Sequence, residues 1–88
     1  MLSLRTNPFR GQMRFTLRAS PGTPARVELF DVAGRRVRTL WEGSLAGTEL
    51  ELAWDGRDEA GRGTAAGLYF LRSQAGGKTA TVRALKLP

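Results

Sequence analysis

Between residues 13 and 19 apolar and polar side chains alternate without a break. Met13, Phe15, Leu17 and Ala19 fall on one phase, and Arg14, Thr16 and Arg18 on the other. Only an extended strand sorts these residues onto two faces, because successive side chains of a strand point to opposite sides. A helix would carry Arg14 and Arg18 into the apolar stripe. The same period recurs along the chain. Leu2 and Leu4 alternate with Ser3 and Arg5, Val27 and Leu29 with Arg26 and Glu28, and Leu50, Leu52 and Trp54 with Glu49, Glu51 and Ala53. Around Tyr69 and Leu71 the other phase, Leu68 and Phe70, is apolar as well, which predicts a central strand. In 78–87 the phase shifts: Val82 and Ala84 lie on one phase and Leu85 and Leu87 on the other, so a bulge near Ala84 is expected.

Turn residues divide these runs. Two prolines in Ser20-Pro21-Gly22-Thr23-Pro24 remove ladder donors. Asp31-Val32-Ala33-Gly34 has Asp first and Gly fourth, as a type I turn prefers. Gly43-Ser44-Leu45-Ala46-Gly47 reads as a longer connection, Gly76-Gly77 as a two-residue hairpin, and Asp55 to Gly67 as the longest break. Seven strands follow, at about 1–5, 13–19, 25–32, 35–42, 48–54, 67–74 and 78–87. Seven short strands with no helix predict an all-β sandwich, with an open barrel of five or six strands as its competitor.

The 88 residues make one domain, 1–88. No cysteine is present for a disulfide or thiol chemistry, and no histidine for metal ligation or proton transfer near neutral pH. No apolar stretch is long enough for a transmembrane helix, and the first residues lack the apolar core of a signal peptide, so export would need either a signal upstream in a longer parent chain or an unusual route. The net charge of +6 rests on 12 Arg and 2 Lys against 8 acids. Most of the arginines are scattered, and Arg35, Arg36 and Arg38 form the one tight group.

The run Val27-Glu28-Leu29-Phe30-Asp31-Val32-Ala33-Gly34-Arg35-Arg36-Val37-Arg38-Thr39-Leu40 resembles a known family signature. So does Trp54-Asp55-Gly56-Arg57-Asp58-Glu59-Ala60-Gly61-Arg62 followed by Gly67-Leu68-Tyr69-Phe70-Leu71-Arg72, with Asn7-Pro8-Phe9 upstream as an entry motif. In this order they are similar to the FlgD-like immunoglobulin domains and the related C-terminal sorting domains of type IX secretion cargo. The resemblance implies a seven-stranded immunoglobulin-like β-sandwich at the end of a large exported bacterial protein. It further implies a non-catalytic role in sorting, anchoring or assembly, placed outside the cell or in its envelope. The terminus Leu85-Lys86-Leu87-Pro88 departs from the sorting pattern, which commonly ends on a basic residue after an apolar strand. In either relative Trp54 would be buried, and a buried Tyr69 would need a hydroxyl partner, as in the tyrosine corner of such sandwiches.

No cofactor is expected, and the candidate sites are few. Asp55, Asp58 and Glu59 cluster in a glycine-containing loop, the oxygen-rich setting a calcium ion wants; a solvated turn neutralised by Arg57 and Arg62 is the alternative. Arg35, Arg36 and Arg38 could meet an anion, or form a charged outward strand edge that blocks sheet-to-sheet pairing. No aromatic run accompanies them, so a nucleic-acid partner is not expected. Glu49 and Glu51 share one solvent-facing phase rather than opposing each other across a cleft, and no nucleophile lies beside a base, so no enzyme is expected. A crosslink of Lys78 or Lys86 to Asn7 would need a buried acid to promote it. The expected partners are a protein at the cell envelope or another copy of the chain. They would be met through the edges of the sandwich, on the last strand through Thr79, Thr81, Arg83, Leu85 and Leu87.

Overall fold

The computed structural model describes residues 2–4 and 8–88. The entry motif therefore begins, for structural purposes, at Pro8; Asn7 and any bond to it lie outside the described residues. Seven strands follow in chain order: β1 (Leu2–Leu4), β2 (Met13–Arg18), β3 (Pro24–Asp31), β4 (Arg36–Ser44), β5 (Glu49–Trp54), β6 (Gly67–Ala75) and β7 (Lys78–Lys86). They form two antiparallel sheets, β1-β2-β5 and β4-β3-β6-β7. The fold is the all-β sandwich that the alternating sequence implies.

The apolar phases meet between the sheets. Met13, Phe15 and Leu17 of β2 face Val27 and Leu29 of β3 and Leu71 of β6, and all six are almost fully excluded from water. Trp54 closes β5 and is fully buried. Its ring meets Phe9 edge-on at 5.6 Å and Tyr69 edge-on at 5.0 Å, so aromatics of both sheets share one contact. Such edge-to-face pairs are favourable beyond the area they bury. The Tyr69 hydroxyl donates to the Ala65 carbonyl at 2.6 Å, four residues upstream, in the manner of a tyrosine corner. β6 lies between β3 and β7, as its two apolar faces suggest.

Four local expectations are corrected. The β6–β7 ladder runs from Gly67–Lys86 to Ala75–Lys78 without a shift, so no bulge lies near Ala84. Ala80, Val82 and Ala84 keep the inward phase throughout, and Leu85 simply faces outward, 41% exposed. The irregularities lie instead in β4, where Leu40 and Val37 are each passed over in the pairing with β3. Pro24 opens β3, a position where its missing N–H costs no interior ladder bond. Gly43 and Ser44 belong to β4, and Leu45 is buried rather than part of an open connection. The Leu45 amide donates to Thr23 and its carbonyl accepts from Gly22, which holds it under the sandwich.

The bulges of β4 also redirect the arginine group. Regular alternation would put Arg36 and Arg38 on one outward face. With Val37 passed over, Arg36 stands opposite Phe30 on the outward phase and Arg38 opposite buried Leu29 on the inward one. Arg38 there donates to Asp55, beyond the end of β5, at 2.9 Å and ties the two sheets together at their rim. An inward-pointing charge on an edge strand is one of the devices that discourage sheet-to-sheet association.

Candidate functional site

One end of the sandwich is built from two copies of the same turn. Asp31-Val32-Ala33-Gly34-Arg35 joins β3 to β4, and Asp58-Glu59-Ala60-Gly61-Arg62 tips the loop between β5 and β6. In the first, Asp31 Oδ1 accepts from the Ala33 and Arg35 amides at 3.0 Å each, and Oδ2 from Arg35 Nε at 3.1 Å. In the second, Asp58 Oδ1 accepts from the Ala60 and Arg62 amides at 2.9 Å each, and Oδ2 lies 3.3 Å from Arg62 Nε. The glycines sit at φ of 81° and 82°. A side chain strains that left-handed region, which is why both turns place glycine there. The repeated pattern Asp-x-Ala-Gly-Arg was visible in the sequence as an internal repeat, and reading each loop separately missed it.

Between the turns lies a shallow groove of about 640 Å³, lined by Asp31, Arg35, Arg36, Asp58, Arg62 and Tyr69 among others. Its electrostatics are those of a structural joint. The Arg35 amide holds the Asp31 carboxyl below the ordinary carboxylate range, and the Arg62 amide does the same for Asp58. Both outweigh the opposing effect of partial desolvation. These are fixed acceptors, the reverse of the raised carboxyl that a proton-donating acid requires.

The other candidate carboxylates are turned to separate tasks. Asp55 Oδ1 accepts from Arg38 and from the Arg57 amide. Glu59 Oε2 accepts from the Thr39 amide at 3.0 Å while the Glu59 amide donates to the Val37 carbonyl. Glu59 thereby occupies the outer edge of β4, as a protected edge strand requires. Asp55, Asp58 and Glu59 do not converge. Among the described residues no group of three His, Cys, Asp or Glu is placed to hold a metal ion. The three arginines also part company, Arg35 to Asp31, Arg36 to Glu28 and Arg38 to Asp55. On β7, Thr79, Thr81, Arg83 and Leu85 lie on the exposed outward phase, while the Leu85 carbonyl and Leu87 amide are bonded by Phe9. Lys78 is exposed at the β6–β7 turn.

Two charged residues matter more than the sequence suggested. Alternation with Val27 and Leu29 puts Glu28 on the outward phase, yet it is covered by neighbouring side chains. Burial pushes its carboxyl up, but hydrogen bonds from Arg72 and Arg36 prevail and hold it below its ordinary value of 4.5. Lys86 faces inward on β7 and donates to the Thr64 carbonyl at 2.5 Å, to Thr64 Oγ1 at 3.1 Å and to the Gly56 carbonyl at 3.4 Å. It pins the β5–β6 loop over Trp54, whose indole N–H donates to the Arg57 carbonyl at 2.8 Å. The inward phase of Val82 and Ala84, extended by two residues, would have found it.

The depressed carboxylates set a pH response. Glu28, Asp31 and Asp58 bind protons less readily folded than unfolded, so their stabilisation is complete above the ordinary values of 4.5 and 3.8 and is lost as pH falls through the lower folded values. The melting temperature at low salt is expected to hold level from about pH 7 to about pH 5 and to fall steadily below about pH 4. Thermal melts by circular dichroism check this; a level profile down to about pH 2.5 would contradict it.

Comparison with known proteins agrees with this geometry. The family model described as FlgD Ig-like domain matches residues 3–79. No curated protein matches the chain. Among solved structures, PorZ of Porphyromonas gingivalis, an essential bacterial surface component of the type-IX secretion system, superposes with a TM-score of 0.63 at 22% identity. The match covers 99% of this chain and 11% of that one, and at this identity it is a likeness of fold. The Pseudomonas fluorescens DNA glycosylase AlkC is similar over 99% of this chain and 30% of its own at 16% identity, with a TM-score of 0.45, too low to carry an argument.

Proposed function

This chain belongs to the FlgD Ig-like domain family, and from that premise we propose that it is a non-catalytic accessory module of an exported bacterial protein, serving sorting, anchoring or assembly at the cell envelope. The observation that carries the reading is the family match over residues 3–79, which takes in β2 to β6 whole. The likeness to one small part of PorZ supports it, because PorZ is a bacterial surface component in which such a sandwich is a fraction of a larger chain. The site supports it too: acids locked by backbone amides and arginines matched by carboxylates make rigid corners rather than reactive groups. The module's work is to present a surface. A second reading, in which copies of the chain pair edge to edge, draws support from the strand order, which ends one sheet on β1 and β5 and the other on β4 and β7, although Glu59 covers part of β4 and Phe9 part of β7.

Fractionation of the source bacterium with an antibody raised against the sandwich tests the first reading. The antigen is expected in the envelope or the medium, on a polypeptide longer than this chain. Recovery from the cytosol would overturn it.

A further inference from the structure

The outward face of the four-stranded sheet has an apolar end that the core does not need. Cross-strand register places Phe30 beside Phe70 and Phe70 beside Arg83. In the neighbouring row Leu68 lies beside Leu85, and Val32 follows directly on the Asp31–Tyr69 pair. Val32 and Leu85 are the exposed large apolar residues among those described, at 70% and 41%. Phe30, Phe70 and Leu68 are half-buried, and a shallow hollow of about 310 Å³ opens between Phe30, Val32 and Phe70. The inward face of the same strands already supplies Leu29, Tyr69 and Leu71 to the core. Further along, the outward face turns polar, through Glu28 and Arg72 to Arg26 and Gln74. Apolar side chains gathered at one end of a face mark a contact site, whereas scattered ones would not.

The rim states the chemistry of the partner. Arg36, Arg72 and Arg83 surround the phenylalanines, and Arg72 stacks over the Phe30 ring at 4.6 Å. The outward strand positions carry four arginines, Arg26, Arg36, Arg72 and Arg83, against two acids, Glu28 and Glu42. Aromatic residues and arginine are the types enriched at protein interfaces. Pairing of two copies through this face would bring like rims together on chains of net charge +6.

We propose that the Phe30–Phe70 end of this face docks a protein surface that carries apolar side chains among carboxylates. The proposal rests on the reading of the chain as a surface-presenting module, and it names the surface. The test is binding in vitro, so its failure would leave the localisation result standing.

The probe is a synthetic peptide alternating leucine and glutamate, titrated into isotope-labelled protein and followed by amide chemical shifts. A matched leucine–lysine peptide, anionic phospholipid vesicles and the protein alone at high concentration form the other arms. The expected result is saturable shifts centred on Phe30, Leu68, Phe70 and Leu85 with the acidic peptide alone. They should weaken at least tenfold in Phe30→Ser/Phe70→Ser, and in Arg36→Glu/Arg83→Glu, which leaves the apolar centre intact and guards against misfolding of the first variant. No shift at millimolar acidic peptide, equal binding of the lysine peptide, preferential binding to vesicles, or self-association abolished by the serine pair would each overturn the proposal.

Discussion

Trp54→Ala is expected to remove cooperative folding at 25 °C or to lower the melting temperature by at least about 12 °C. Truncating a buried tryptophan costs about 3–5 kcal/mol, and the two edge-on pairs with Phe9 and Tyr69 are lost with it. The whole domain, at roughly 0.05–0.15 kcal/mol per residue, has about 4–13 kcal/mol to lose. For a domain of this size each kcal/mol is worth about 4–8 °C. Trp54→Phe should fall between: it keeps an aromatic face but leaves the Arg57 carbonyl without its indole donor, at about 1–3 kcal/mol. Thermal and urea melts of the two variants check the order. An alanine variant within about 1 kcal/mol of the parent would mean that the indole does not join the sheets.

Lys86→Met should lower stability by about 2 kcal/mol, or roughly 8–16 °C, without emptying the core. Methionine keeps most of the side-chain length and removes the donor that holds the Thr64 carbonyl. The Gly56 carbonyl would keep its bonds from the Thr64 amide and hydroxyl. The loss should therefore concentrate in the loop. Amide exchange at Thr64 and Ala65 is expected to quicken more than at Leu29 or Leu71. Uniform quickening in all four, or none, would contradict the assignment of Lys86 to the loop. The fit is close, since a Cβ built on Gly56 would come within 3.2 Å of the Lys86 ammonium.

Period-two patterning was enough to locate β1, β2, β3 and β5, because each inward phase there is a run of residues whose burial has no alternative explanation, and the turn residues between the runs marked out the other three. Met13, Phe15 and Leu17, or Leu50, Leu52 and Trp54, can lie on one face only if extended. Tyr69 with its upstream carbonyl was legible for a related reason: a buried hydroxyl needs an acceptor. Patterning failed where one inserted residue resets the phase. Nothing in Arg36-Val37-Arg38-Thr39-Leu40 announces that Val37 and Leu40 are passed over, since bulges are set by the partner strand and the twist. It failed again at Glu28, whose burial comes from Arg36 and Arg72 on neighbouring strands. The carboxylate cluster was legible as residues and misleading as a site. Asp55, Asp58 and Glu59 are close in sequence, but the loop turns each toward a different donor. The two apolar phases of β6 were read as a central strand, which is correct for its neighbours but leaves Leu68 and Phe70 unexplained.

The account depends on aromatics from opposite sheets meeting in a dry interior. Nuclear Overhauser contacts from the Trp54 indole test it most directly, because Trp54 ends a strand of one sheet and Tyr69 lies in a strand of the other. Strong contacts from the indole to the rings of Tyr69 and Phe9, with a slowly exchanging indole N–H, are predicted. An indole N–H that exchanges freely with water and shows no contact to Tyr69 would contradict the sandwich.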